Sequence, residues 1–153
     1  MISAEDSSIK IFDSTCKPEG DVYKDFAACH IQGARFMDLS LIRDFSLPYP
    51  FMMPQKAHFI RMTKAWDLRR TDTVVFYEQG KGWFATRAAF MLKAFGHQNV
   101  YVLDGGIAKW TKEGRDVEKC DVSNWDADFD YELDTDKLMD YKRIQEVSQD
   151  GSV

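Results

Sequence analysis

Residues 73–106, TVVFYEQGKGWFATRAAFMLKAFGHQNVYVLDGG, decide how the rest of the chain is read. Val74, Val75, Phe76 and Tyr77 form a short β-branched and aromatic run, the composition of a strand buried on both faces of a parallel sheet. Gln79, Gly80, Lys81 and Gly82 follow at once, and the two glycines let the backbone turn tightly. Residues 83–95 then read as a helix. Its apolar side chains run almost the whole way round, so it is expected to be covered on more than one side. Gly96 is a natural C-terminal stop, and residues 100–103 form the next strand. Strand, crossover helix and strand within about 30 residues make a βαβ unit, which is expected to be right-handed.

Upstream, residues 9–12 read as the first strand, with Asp13, Ser14 and Thr15 as its exit. Residues 17–20 are a turn. A short helix is expected from Asp21, its cap, to Phe26, and Gly33 permits a tight entry into a short strand over 34–37. Residues 47–54, LPYPFMMP, are a rigid aromatic connector in which three prolines forbid helix. Pro54 suits the first turn of a helix running to about Trp66, with Phe59 and Met62 on its apolar stripe. Downstream, residues 107–112 read as a short helix ending before Gly114. Residues 115–130 turn acidic and aperiodic, which reads as a linker, and residues 134–147 read as a last helix capped by Asp134.

A chain of 153 residues fits one domain. A net charge of −5 argues against nucleic acid and anionic membranes as general partners. No apolar run approaches the roughly 20 residues that span a bilayer. Cys16, Cys29 and Cys120 form no CxxC pair, so neither a zinc site nor a thioredoxin-type motif is indicated, and free thiols in a reducing compartment are expected. His58 and His97 have no ligand-spaced partners, so no metal and no cofactor is expected. Residues 1–6 are neither a signal peptide nor an Arg-rich transit peptide. A mitochondrial and a cytoplasmic location both stay open.

The segment VVFYE, the glycine loop, ATRAAFMLKAFGHQNVYVLDGGIAKW and the following Glu113-Gly114 resemble a rhodanese domain. Within that family they resemble the first of the two domains of thiosulfate and mercaptopyruvate sulfurtransferases. His30, Ile31, Gly33, Ala34 and Asp38 match the family's His-Ile-Pro-Gly-Ala pattern and its later Asp, with Gln32 where proline is usual. The aromatic connector also resembles a stretch of that first domain, and the likeness runs over residues 9–148. It implies an α/β, rhodanese-like fold: a mainly parallel sheet of about five strands with helices on both faces. It also implies a rhodanese-like domain over 1–114, an interdomain-type linker over 115–133, and a helix over 134–153 resembling the start of a second domain that is missing.

In an active copy a cysteine stands directly after the central strand and accepts a sulfane sulfur as a persulfide. Main-chain N–H groups at a helix N-terminus surround it, lower its pKa and stabilise the anion. Here Glu78 stands at that place, and no cysteine lies between Cys29 and Cys120. Gly80, Lys81 and Gly82 keep the loop. A carboxylate cannot carry sulfane sulfur, so no catalytic residue is expected. Two readings of Glu78 stand side by side: its charge points into the amides, or it is a solvated strand-end residue.

Arg87 matches a family arginine, and is read as an anion binder at the loop or, in the blander reading, as the partner of Asp38 or Asp104 in a salt bridge. Lys81 is read as a weak attractor of anions or simply as solvated, and His30 as a hydrogen-bonder that fixes its turn. Cys16, after the first strand, and Cys29, beside His30, are read as reactive thiols or as inert ones, and Cys120 as an exposed linker thiol. The expected function is a non-catalytic rhodanese-like domain forming a cleft wall or docking surface. The alternatives are a structural or adaptor subunit of a larger, for example mitochondrial, assembly, and a persulfide relay through Cys16 or Cys29. The expected partner is a second rhodanese domain or another protein, bound through an apolar surface of Tyr49, Pro50, Phe51, Trp83, Phe84 and the last helix. The choice between thiosulfate and mercaptopyruvate as donor stays open.

Overall fold

The β-branched and aromatic run of the central segment is strand β4 (Thr73–Tyr77), and it lies inside the sheet with strands on both sides. The computed structural model describes residues 8–17, 22–80 and 82–119. Before β4 come β1 (Ile9–Asp13), α1 (Val22–Ala28), β2 (His30–Ile31), β3 (Arg35–Phe36), a 3-10 turn (Leu39–Leu41) and α2 (Lys56–Lys64). After it come α3 (Trp83–Ala94), β5 (Val100–Val102), α4 (Gly106–Lys112) and β6 (Val117–Glu118).

The main sheet has the order β3-β1-β4-β5, and all its pairs are parallel. Among the described residues it has four strands rather than the expected five or so. The register of β1 on β4, from Ile9 opposite Thr73 to Asp13 opposite Tyr77, brings the ends of both strands to one edge. Alternation along the strands then sorts side chains between two cores. Phe12, Val74 and Phe76 pack with Phe59 of α2 and with Ala85, Ala88, Met91 and Leu92 of α3. Tyr77, with Ile11 and Phe36, packs with Phe26 of α1 and with Ile107 and Trp110 of α4. Helices therefore cover both faces, as the βα alternation predicts. Phe59 and Phe95 stack with ring centroids 3.8 Å apart, which ties α2 to the end of α3.

The linker was expected to begin at residue 115, and here the structure differs. β6 forms an antiparallel ladder with β2, pairing Val117 with Ile31 and Glu118 with His30. Trp110 Nε1 donates to the carbonyl of Asp116 at 2.9 Å, and the Gly33 N–H donates to Glu118 Oε1. Strands of two residues are too short to show a period of two, so only the acidic composition is visible in the sequence. The remainder of the expected linker, Cys120 and the expected last helix lie outside the described residues, as does Lys81. No helix among the described residues is long and apolar enough to cross a membrane.

Candidate functional site

β4 carries Glu78 out at the sheet edge, directly before the start of α3. The side chain does not turn to solvent: Glu78 is only 4% exposed. Oε1 accepts the N–H of Gly82, and Oε2 accepts those of Phe84 at 2.7 Å and Ala85 at 3.1 Å. The first N–H groups of a helix have no partner inside it and carry the positive end of its dipole. The N-cap of α3 is Gly82, with φ 90° and ψ 0°, and it has no side chain to serve them. The Glu78 carboxylate serves them from outside the helix. Of the two sequence readings of this residue, the structure has the one in which its charge enters the amides.

The following Asp-Gly-Gly turn closes on the same residue. A Cβ on Gly106, where φ is +53°, would stand 2.4 Å from the Glu78 carbonyl oxygen, so only glycine allows the approach. The Ile107 N–H donates to that carbonyl at 3.3 Å. Gly80 lies close as well, since a Cβ there would come within 3.2 Å of Glu78 Oε1.

A second polar cluster underpins the loop, and sequence reasoning missed it. Asp13 is fully buried, and its carboxyl accepts the Thr15 N–H at 2.8 Å, the Thr15 hydroxyl and, at 3.4 Å, the Gln79 side-chain amide. Thr15 Oγ1 in turn accepts the Gln79 N–H at 2.9 Å. The Ser14 N–H and hydroxyl donate to the Tyr77 carbonyl at 2.9 and 3.1 Å. The Tyr77 hydroxyl accepts the Ile31 N–H at 3.2 Å, and the Gln79 side chain reaches the Cys29 carbonyl at 3.3 Å. Burial pushes the Asp13 carboxyl up despite its hydrogen bonds, and burial, with Asp13 beside it, pushes the Tyr77 hydroxyl up. The signal was present: Asp-Ser-Thr directly after an apolar strand is a side-chain-to-backbone turn motif.

The other candidate residues are placed as follows. Cys16 lines a cavity of about 200 Å³ together with Glu78, Gly80, Trp83 and Phe84. Burial, then Asp38 and Glu78, push its thiol above the ordinary range. Cys29 is half-buried against the core that holds Phe26 and Ile31. A second cavity, of about 490 Å³, runs from Glu78, Gly80, Gly82 and Trp83 to Asp104, Gly105 and Gly106. His30 is buried, donates from Nδ1 to the Phe26 carbonyl at 2.8 Å, and stacks on that ring.

Arg87 is not where either reading put it. It faces the connector, donating to the Met52 carbonyl at 3.4 Å, with its guanidinium 5.9 Å from the centre of the Phe51 ring. Asp38 is taken by the N–H and hydroxyl of Ser40, and Asp104 faces Lys109 at 3.4 Å, so neither is its partner. Among the described residues no group of three or more His, Cys, Asp or Glu side chains is placed to hold a metal ion.

Residues 3–113 match the family model described as the rhodanese-like domain. The chain belongs to the rhodanese-like domain family. It is 33% identical over 144 residues to the thiosulfate sulfurtransferase of Gallus gallus, covering 92% of this chain and 50% of that protein. The rhodanese fold is shown independently by the crystal structure of the 3-mercaptopyruvate sulfotransferase SseA from Escherichia coli. That match has a TM-score of 0.90 at 24% identity and covers 97% of this chain and 58% of that one. The sulfur transferase subunit of yeast mitochondrial complex I matches with a TM-score of 0.78 at 18% identity, covering 95% of this chain and 54% of that one. This rhodanese-like chain spans about half the length of the chicken relative it matches. The family match runs from β1 through α4, and so contains both polar clusters around the loop.

Proposed function

We propose that this chain is a non-catalytic domain of the thiosulfate/3-mercaptopyruvate sulfurtransferase kind, serving as a cleft wall or docking surface. The observation that carries the reading is the Glu78 carboxylate accepting three main-chain N–H groups at the start of α3. In a working rhodanese loop those groups stabilise a cysteine persulfide; here they are already satisfied by a side chain that cannot accept sulfur. The loop keeps its shape and lacks its nucleophile. Sulfur transfer from thiosulfate or mercaptopyruvate to a thiol or cyanide belongs, on this reading, to a cysteine elsewhere in the full assembly.

A persulfide relay through Cys16 or Cys29 has one geometric observation in its favour, the cavity that Cys16 shares with Glu78, Gly80, Trp83 and Phe84, and the electrostatics of Cys16 stand against it. A relay thiol needs a lowered pKa, and burial and two carboxylates act on Cys16 in the opposite sense. Mass spectrometry after incubation with thiosulfate is expected to show no added sulfur atom, about 32 daltons, on Cys16 or Cys29. Sulfur on either one would restore the relay.

A role as structural or adaptor subunit has one observation in its favour. Leu41, Phe45, Leu47, Tyr49 and Trp83 are large apolar side chains left exposed, Leu41 at the end of the 3-10 turn and three of them on the segment between that turn and α2. Large apolar side chains left exposed close together mark contact sites. For either role a mitochondrial or a cytoplasmic location is proposed. The gene downstream of Val153 separates the roles: a second domain with a cysteine loop favours the enzyme wall, and a stop codon favours the adaptor.

A further inference from the structure

Arg87 sits half-buried on the second turn of α3, beside the aromatic connector. Its Nε is buried without a hydrogen-bond partner, and among the described residues its one hydrogen bond is the long one to the Met52 carbonyl. No carboxylate lies within ion-pair distance among the described residues. Burial alone acts on its pKa, pushing it down. Arg35 makes the contrast: it is also half-buried, but Asp67 and Asp72 act on it and it donates to the Trp66 carbonyl. A cation taken partly out of water without a counter-charge is unfavourable unless something outside the domain completes it.

The surroundings indicate what that is. The Phe51 ring lies 5.6 Å from Phe84 and beside the Arg87 guanidinium, and Phe51 holds a strained φ of 60°. Trp83, next in the chain to Phe84, is 70% exposed, and Tyr49 is 63% exposed. Arginine, tryptophan and tyrosine are the residue types that anchor protein interfaces. Neither cavity at the loop has Arg87 in its lining, whereas small-molecule sites are concave. The chain covers only 50% of the chicken enzyme's length, so a comparable length of polypeptide exists in that relative to lie against this one.

We infer that Arg87 receives a carboxylate from a second sulfurtransferase-type domain that docks on the rim formed by Tyr49, Phe51, Trp83 and Phe84. The inference rests on the docking-surface reading above and adds the residue that fixes the docking. An aspartate or glutamate on the partner would bond the guanidinium side-on, between two apolar walls that keep water out.

The test uses the whole 153-residue chain and, as the probe, the half of the chicken thiosulfate sulfurtransferase that this chain does not match, made as a separate polypeptide. Binding is measured by calorimetry for the wild type, Arg87→Met and Arg87→Lys. The expected result is a one-to-one complex that Arg87→Met weakens at least about 30-fold. Arg87→Lys should fall between, since it keeps the charge and loses the planar fork. Equal binding by wild type and Arg87→Met overturns the inference and leaves the docking surface standing. No complex with the wild type, once circular dichroism shows the chicken half to be folded, overturns both.

Two measurements on the chain alone stand whatever the probe does. Arg87→Met should melt at the same temperature as the wild type or higher; a clear drop would show an internal partner and overturn the inference. Thiosulfate or acetate should leave the wild-type melting temperature unchanged, and a rise that Arg87→Met abolishes would make the site one for small oxyanions instead.

Discussion

Glu78 sets the character of the site because three donors converge on one carboxylate. Removing it leaves the first turn of α3 without an acceptor. Glu78→Ala is expected to lower stability in urea by about 1–3 kcal/mol, and Glu78→Gln by less, since its amide oxygen still accepts. An unchanged unfolding midpoint for Glu78→Ala would mean that water serves those N–H groups as well. Asp13 gives a pH signature. Burial raises its folded pKa above the ordinary 3.8, so the folded state holds its proton longer than the unfolded one. Its contribution to stability is present below that ordinary value and is lost as pH rises through the folded pKa. Asp13→Asn should remove this part of the acid-side slope. An unchanged slope in the variant would show that Asp13 titrates normally.

At the scale of elements, β4, α3 and their loop were legible in the sequence. The buried run, the paired glycines and the long apolar stretch each have one physical reading, and the strand and the helix match the expected bounds to within one residue. β6 was not legible, because two residues held by pairing with β2 carry no periodic signal. At the site, nothing in a sequence says whether a carboxylate turns inward, and the hydrogen bonds of Glu78 decide between its two readings. The salt bridge expected for Arg87 failed because Asp38 is held by Ser40 and Asp104 lies beside Lys109.

Two predictions belong at this scale. Gly106→Ala puts a Cβ against the Glu78 carbonyl and in a left-handed conformation, and should cost about 2–4 kcal/mol. His97 is buried and its Nε2–H donates to the Asp72 carbonyl at 2.8 Å, joining the end of α3 to the start of β4. Burial lowers its folded pKa below the ordinary 6.5. Its contribution is therefore complete above that value and is lost as pH falls toward the folded pKa. Urea midpoints measured between pH 7.5 and 5 should fall for the wild type and stay flatter for His97→Gln. Equal slopes would contradict this.

For the whole molecule, the sheet and its two cores make a self-supporting scaffold. Phe45 and Tyr49, on the segment before α2, and Trp83, at the start of α3, are exposed aromatics; Tyr23, Phe90 and Tyr101 are exposed on other elements. A hydrophobic dye should bind the wild-type chain, and the double substitution Tyr49→Ser with Trp83→Ser should reduce that binding with little change in stability, within about 1 kcal/mol for two surface sites. Dye binding unaffected by the pair would place the apolar surface elsewhere. The central claim is that a carboxylate fills the cradle where sulfur chemistry requires a thiolate. Its most direct test is thiocyanate formation from thiosulfate and cyanide by the purified chain. The account predicts a rate no greater than that of buffer; steady turnover that alkylation of the cysteines abolishes would contradict it.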